Sequence, residues 1–339
     1  TVEALFSKDI NSIVQKNGNL PNPNRVFSGA DKRAYWSGNK VNSNVASAMV
    51  LDNSDQGYQA LFTAQLTKNF QYGFSGMIAY TFNLSKDLSA NPGSSAYSAW
   101  TSNLDAFNLN SPQLSYSSFA VPHRVVGSLT YRIEYAKNFA TSISIYYNGA
   151  AQGRSSVAYS NDMTGDGASS DLIYVPNNKY ELAFVDVVNK GVVVMTAAQQ
   201  QDKFIEYVQN DKYLSKHQGQ YAERFGVVNP WKNRWDVKVI QDVFANFGTD
   251  RRYTLQLSLD IVNAGNLLSK NWGIYTRSGL ANSYDVIMPL KYMGVNAGGQ
   301  PTYTLNATDI ANFDAKNQQI NSVSTGSTWG MQLGIRLLF

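Results

Sequence analysis

The feature that most constrains this chain is an alternation of apolar and polar residues that recurs along its length. Because successive side chains of a β-strand point to opposite faces, such a segment predicts a strand with one apolar and one polar face. At the end of the chain the apolar set is Trp329, Met331, Leu333, Ile335, Leu337 and Phe339. Similar runs of about ten residues, the length of a tilted membrane-spanning strand, occur at 58–66, 72–82, 125–135, 139–147 and 253–261. The sequence therefore predicts an all-β chain of two-faced strands.

Two architectures accommodate such strands, a soluble sandwich and a transmembrane barrel. The lengths of the connections favour the barrel. Short turns are expected near Lys68–Asn69, near Lys137–Asn138 and at 246–250, and long excursions at 84–121, 149–231 and 264–283. Short periplasmic turns that alternate with long outer loops are typical of antiparallel outer-membrane barrels. Counting strands through these alternating turns predicts about twelve strands. If the last strand ends on the periplasmic side, an even number makes the first strand run toward the outer side. The count includes 25–38 and a hairpin across 296–301.

Composition narrows the function classes. The chain has 28 Lys plus Arg, 24 Asp plus Glu and a net charge of +4 without basic clusters, which gives no indication of a nucleic-acid partner. It has no Cys and only 2 His, which excludes thiolate chemistry and disfavours zinc sites and His-based catalysis. No nucleophile elbow, P-loop or HExxH motif is present, so we expect no enzyme activity. The 21 Tyr, 16 Phe and 6 Trp suit a bilayer interface.

The segment 196–221 has few β-branched residues and interrupts the strand pattern. Thr196 is a good N-cap, and Phe204, Tyr207 and Val208 share one helical face. We therefore predict a short helix near 196–216 within the long extracellular loop 149–231. A helix in this position is expected to order its loop.

The sharpest local motif is "DMTGDGASSD", beginning at residue 162. Oxygen ligands spaced by two residues around a Gly-rich turn suit a hard cation such as Ca²⁺. The predicted ligands are Asp162, Thr164, Asp166, the carbonyl of Ala168, and Asp171. The motif departs from an EF-hand loop, because its third position is Thr and its twelfth is Ile173. A Gly/Asp-rich turn without an ion is the alternative, and a calcium ion here would be structural.

Five motifs in order resemble the C-terminal half of Bacteroidetes TonB-dependent outer-membrane transporters, most closely the Oar-like branch and more distantly the SusC-like importers. Each motif is modest alone, but their order is specific, and the resemblance covers nearly the whole chain. The motifs are "VPHRVVGSLTYRIEY" (121–135), "DMTGDGASSDLIYVP" (162–176), "YLSKHQGQYAERF" (213–225), "NPWKNRWDVKVIQDVF" (229–244) and "SLDIVNAGNLLSKNWG" (258–273).

The resemblance implies a 22-stranded barrel in the outer membrane of a Gram-negative bacterium, closed by a plug and coupled to TonB through a TonB box. Plug, TonB box and carboxypeptidase-like extension are absent from residues 1–339. We therefore expect this chain to be a C-terminal fragment, with the N-terminal half of the same transporter as its partner. The implied function is active import of a large nutrient: an oligosaccharide, a peptide or a chelated cofactor.

Further expectations concern partners and alternatives. The resemblance suggests outer-membrane lipid and lipopolysaccharide as surroundings, and a surface lipoprotein lid as in SusC-like pairs. A self-contained passive barrel is the main alternative function. A soluble β-sandwich adhesin is a further alternative, which would need no detergent.

Several single residues carry predicted roles. The resemblance implies that Phe339 is the signal read by the outer-membrane assembly machinery; otherwise it is one more lipid-facing anchor. Trp235, Trp272 and Trp329 are expected as interfacial anchors rather than as ligand-stacking groups. His123 is expected as a hydrogen-bonded residue of the barrel rim, with a proton-linked or metal-binding role as the alternative.

The charges on the polar strand faces allow two interpretations. They would line the lumen and contact a plug or substrate, or they would form a hydrated ladder of ion pairs. These residues are Arg124, Arg132, Glu134, Asp236, Lys238 and Asp260.

Overall fold

The computed structural model of the chain describes residues 1–38, 40–247, 251–282, 286–307, 313–316 and 319–339. Strands make up 50% of the chain and helices 9%, and the main sheet is antiparallel, which confirms the all-β class. No helix within these ranges is long and apolar enough to cross a bilayer.

The main sheet is an antiparallel meander in which each long strand pairs with the next one along the chain. Its eight consecutive strands are β1 (Val2–Lys8), β2 (Tyr58–Asn69), β3 (Phe74–Asp87), β4 (His123–Tyr135), β5 (Phe139–Ala151), β6 (Trp231–Phe247), β7 (Arg251–Val262) and β8 (Gly330–Leu338). A short strand, Ser115–Tyr116, adds to the end of β3.

The register of the strands places apolar residues opposite apolar residues and polar residues opposite polar residues across the sheet. Residues that lie directly opposite each other share a face of the sheet. One row runs through Ile145, Val237, Ile261 and Met331 on β5 to β8. The adjacent row runs through Ser144, Lys238, Asp260 and Gln332. The main sheet therefore has one continuous apolar face and one continuous polar face.

Short connections lie at one end of the main sheet, here called the turn end. The β4–β5 turn uses left-handed backbone at Ala136 and Lys137, with φ of +50° and +62°, as a tight hairpin requires. The reversal predicted near Lys68–Asn69 occurs slightly later, at 70–73, because β2 continues to Asn69 and left-handed Tyr72 (φ +61°) makes the turn. The turn predicted at 246–250 falls mainly on 248–250, which lie outside the described residues.

Four long excursions leave the opposite end, here called the loop end: 9–57, 88–122, 152–230 and 263–329. They pack together into a second unit, the loop body, with its own hydrophobic core. Ile173, Phe204, Leu290 and Tyr303 are among its almost fully buried side chains. The molecule thus combines a two-faced sheet with a compact body of loops.

The loop body contains short strands and helices. Its largest sheet has five strands: Ala183–Phe184, Pro301–Leu305, Val286–Val295, Arg154–Tyr159 and Val227–Val228. Two-stranded sheets pair Ser12–Asn17 with Met49–Ser54, Arg25–Val26 with Ala34–Tyr35, Tyr174–Val175 with Gln220–Tyr221, Val187–Asn189 with Val192–Met195, and Tyr275–Ser278 with Gln319–Ser322. The helices are α1 (Ala96–Thr101), α2 (Ala197–Asn210), α3 (Ala264–Leu268) and a 3₁₀ turn at Leu214–Lys216.

The helix predicted near 196–216 is α2. It begins after Thr196, whose hydroxyl accepts the Gln199 N–H while the Gln199 side chain accepts the Thr196 N–H, a reciprocal capping box. Phe204, Tyr207 and Val208 are buried against the core of the loop body, as their shared helical face predicts.

The prediction of about twelve sheet strands is wrong for the part of the chain that the structure describes. The segment 25–38 and the hairpin across 296–301 belong to the loop body, not to the main sheet. Pro301–Leu305 is buried along its entire length, so its apolar residues pack on both sides instead of marking one face. The excursion 9–57 was not predicted as a loop, and its strands pair only within the loop body. β1 does run from the turn end to the loop end, as an even number of strands requires.

The main sheet is open. Within the described ranges, β1 pairs only with β2 and β8 only with β7, so the two edges do not meet. Each edge strand leaves a row of backbone groups available for another strand.

Candidate functional site

The polar face of the main sheet carries a ladder of ion pairs across β4, β6 and β7. The pairs are Arg132–Asp242 at 3.0 Å, Arg132–Glu134 at 3.3 Å, Arg234–Asp236 at 2.9 Å and Lys238–Asp260 at 2.9 Å. Arg124 donates from Nε to the amide oxygen of Asn148 at 3.1 Å. The predicted charges are therefore partnered within the sheet, while contact with a plug or substrate stays a prediction.

The opposite face of the sheet is apolar and uncovered. Leu333 and Ile335 on β8 are 78% and 79% exposed, and large exposed apolar side chains occur on every one of the eight strands. Exposed apolar patches on soluble monomers rarely exceed a few hundred Å². In other proteins, wide exposed apolar faces are found where the protein contacts lipid or another large apolar surface.

Aromatic residues with polar anchors lie at the loop end of the apolar face; we call Tyr147, Trp231 and Trp235 the aromatic girdle. The rings of Tyr147 and Trp235 are 4.4 Å apart. The Tyr147 hydroxyl and the Trp231 indole N–H both donate to the side-chain oxygen of Asn233, at 2.6 and 3.0 Å. Gly149 lies beneath these rings, where a Cβ would collide with Tyr147 and Trp231.

The three predicted tryptophan anchors lie close to this girdle. Trp235 is a member, and Trp272 packs beside it over Gly265, with ring atoms 3.7 and 3.6 Å from a Cβ built there. Trp329 directly precedes β8 at the same end of the sheet. All three are about half exposed, which suits an interfacial position, and their role stays a prediction. Phe339 follows β8 at the turn end and is 95% exposed; its role in assembly likewise stays a prediction.

His123 begins β4 at the loop end and contacts aromatic residues of β3. Its Nδ1 lies 2.8 Å from the Tyr80 hydroxyl, and its ring centre is 5.5 Å from that of Phe82. The hydrogen bond that we predict for His123 is present, and its place at a barrel rim stays a prediction. Within the described ranges, no group of three or more His, Asp or Glu side chains has an arrangement suited to a metal.

The predicted calcium loop folds around its own backbone. Both carboxylate oxygens of Asp162 accept N–H groups, from Gly165 at 2.6 Å and Gly167 at 2.9 Å. Asp171 accepts the Met163 N–H at 2.7 Å and the Thr164 hydroxyl at 2.9 Å. The structure thus brings most of the predicted ligand residues together, but their oxygens already serve to shape the turn.

The carboxylates of this loop repel one another in a buried setting. Burial, followed by the charges of Asp171 and Asp162, raises the pKa of Asp166 to about 8. Burial raises the pKa of Asp171 to about 6, against the opposing effect of Arg33. Hard oxygen donors under mutual repulsion suit Ca²⁺ chemically, whereas the occupied oxygens of Asp162 and Asp171 do not favour it. Calcium therefore stays a prediction of the sequence.

A buried ion pair that the sequence did not reveal lies next to this loop. The Arg33 Nε donates to Asp31 at 2.9 Å, and both side chains are fully buried. The hydroxyls of Tyr221 and Tyr159 donate to Asp31 at 3.0 and 3.2 Å, and the Arg33 guanidinium lies 4.8 Å from the Tyr221 ring centre. This cluster ties residues 31–33 to two distant segments, so it fixes the shape of the loop body.

An open cleft of about 830 Å³ lies on the loop body where it meets β6. It falls within the usual size range of ligand sites. Its lining includes Lys212, Lys216, His217, Tyr213, Trp231 and Lys316. We call it the basic cleft. It could not be recognised in the sequence, because its walls come from five separate stretches of the chain: 207–217, 226–231, Ser278, Ile287, and 315–316 with Gln319.

Comparison of the chain with protein-family models, with curated protein sequences and with solved structures gives no match. The functional interpretation therefore depends on the fold and on the resemblance of the motifs.

Proposed function

We propose that this chain forms part of the wall and the outer mouth of a transmembrane transport barrel in a bacterial outer membrane. The observation that carries the proposal is the main sheet, whose exposed apolar face opposes a face of paired charges. In a membrane, the apolar face would contact the acyl chains of lipid and the polar face would line a water-filled interior. A soluble sandwich would instead require a second apolar layer, and nothing in the described part of the chain covers this face.

The edges of the sheet bear on how the barrel closes. Unpaired backbone groups in lipid cost several kcal/mol each, so an open sheet is not a stable wall. We infer that further strands pair with the free edges of β1 and β8. The motif resemblance supports the N-terminal half of the same transporter as their source. That half would also contribute the plug and the contact with TonB.

The transport mode that we favour is active import of an oligosaccharide, peptide or chelated cofactor. The resemblance to TonB-dependent transporters supports it, and the loop body would form the capture surface, with or without a lipoprotein lid. Deleting the gene should abolish uptake of one of these nutrient classes, and a protonophore should abolish the same uptake in the parent strain. Uptake that needs the gene but ignores the protonophore would favour a passive barrel.

Membrane location is tested separately by fractionation. The protein should stay with outer-membrane vesicles through alkaline and urea washes and should dissolve only in detergent. Release by the alkaline wash would contradict the proposal and would favour a soluble sandwich.

A further inference from the structure

The basic cleft and the aromatic girdle share a residue. Trp231 lines the cleft, and its indole also belongs to the girdle on the apolar face of the sheet. Its position on that face follows from the unbroken register of β5 with β6, which pairs Trp231 with Ala151 and Trp235 with Tyr147. The cleft therefore adjoins the loop end of the apolar face.

The positive charge of the lysines that line the cleft is only partly neutralised by acidic residues of the protein. Lys212 and Lys216 make no ion pair with any residue that the structure describes, whereas Lys316 approaches Glu206 at 3.4 Å. The acidic residue in the lining is Asp211, and one of its oxygens accepts the N–H groups of Tyr213 and Leu214, both at 2.8 Å. The lining of the cleft therefore contains three lysines and one carboxylate.

We propose that the basic cleft holds the phosphate-bearing headgroup of an anionic glycolipid from the surrounding leaflet. This inference rests on the proposed membrane location of the main sheet. Aromatic girdles mark the boundary between acyl chains and headgroups, so a cleft next to the girdle lies at headgroup height. Basic pockets at that height bind anionic headgroups, because each lysine near the surface attracts them.

The shared use of Trp231 favours a lipid over a soluble anion. A soluble anion would use the lysines of the cleft alone, whereas a lipid would place its headgroup in the cleft and its acyl chains along the apolar face beside it. The indole N–H of Trp231 is held by Asn233, which leaves the ring fixed at the point where headgroup and chains would meet.

The test is native mass spectrometry of the protein purified from its membrane in detergent, with added diphosphoryl lipid A as the probe. The test variant combines Lys212→Gln, Lys216→Gln and Lys316→Gln. The matched control combines Lys32→Gln, Lys40→Gln and Lys190→Gln, which are exposed lysines of the loop body outside the cleft. A third variant replaces the same three cleft lysines by Arg, which keeps the charge.

The test variant should bind the lipid at least about tenfold more weakly than the parent protein, since three attractions are lost. The control and the Arg variant should bind as the parent does, and glucose 6-phosphate should not displace the lipid. Equal binding by the test variant and the parent would overturn the proposal. Displacement by an equimolar amount of glucose 6-phosphate would also overturn it, in favour of a soluble phosphate ligand. Either result leaves the membrane location standing, because fractionation tests that separately.

Discussion

At the scale of single residues, the most consequential contact is the buried pair of Asp31 and Arg33. Burying an ion pair costs desolvation energy that further hydrogen bonds offset, and here two tyrosine hydroxyls donate to the Asp31 carboxylate. The two terminal guanidinium nitrogens of Arg33 have no hydrogen-bond partner among the described residues, but the guanidinium lies over the rings of Tyr159 and Tyr221, 5.4 and 4.8 Å from their centres. The role of the pair is to hold three segments of the loop body in one arrangement.

Removing one member of this pair should loosen the loop body. In the variant Arg33→Met the Asp31 carboxylate stays buried without its cation, which costs about 3–5 kcal/mol. Hydrogen exchange in 154–176 should report this loss as a lower free energy of local opening. The double variant Asp31→Leu/Arg33→Met should recover most of the lost free energy of local opening. An equal loss in the single and the double variant would contradict this explanation.

A second residue-scale prediction concerns Asp166 and pH. Its pKa in the fold, about 8, lies above the value of 3.8 for a free side chain, so folding favours the protonated form. The stabilisation is therefore complete below about pH 4 and is lost as pH rises through about 8. Protection factors in 160–172 should fall from about pH 6, above which Asp171 adds little further change, to about pH 8 and level off above it, and Asp166→Asn should remove most of that fall. A fall that persists unchanged in Asp166→Asn would show that another group is responsible.

At the scale of elements, the alternating strands were predictable because each strand of the main sheet exposes one apolar face. The same reasoning failed for 301–305, since a strand buried on both sides carries no period-two signal. It also failed for Asp31 and Arg33, which lie in the segment 25–38 that was counted among the sheet strands but belongs to the loop body. Their burial depends on Tyr159, Tyr221 and Tyr303, which lie far away along the chain. The alternation within each segment thus predicts the strands of the main sheet. The buried cluster around Asp31 depends on contacts between distant segments, which a local pattern does not reveal.

The loop 162–171 is the element on which the calcium prediction can be tested. If it binds Ca²⁺, the ion would offset the repulsion among Asp162, Asp166 and Asp171 and stiffen the turn. Chelation with EDTA should then increase proteolysis within 150–180, and added Ca²⁺ should reverse it while Mg²⁺ does not. Cleavage that is the same with and without EDTA would mean that the hydrogen bonds of the turn stabilise it without an ion.

At the scale of the whole molecule, the fold has two parts that differ in packing, the main sheet and the loop body. None of the residues in the hydrophobic core clusters of the described chain lies on the eight long strands of the main sheet, whereas the loop body has a dense core of its own. Such a division is reasonable where lipid and further strands cover the sheet and the loops alone face water. The central claim is therefore that the apolar face of the sheet touches lipid.

That claim is tested most directly by spin labels on β7, from Leu255 to Asp260. The chain has no Cys, so each introduced Cys is labelled uniquely. In outer-membrane vesicles, labels at Leu255, Leu257 and Leu259 should collide with oxygen, which concentrates in lipid. Labels at Gln256, Ser258 and Asp260 should collide instead with a water-soluble nickel complex. Collision rates without this alternation, or odd positions shielded from both reagents, would contradict the membrane-wall account.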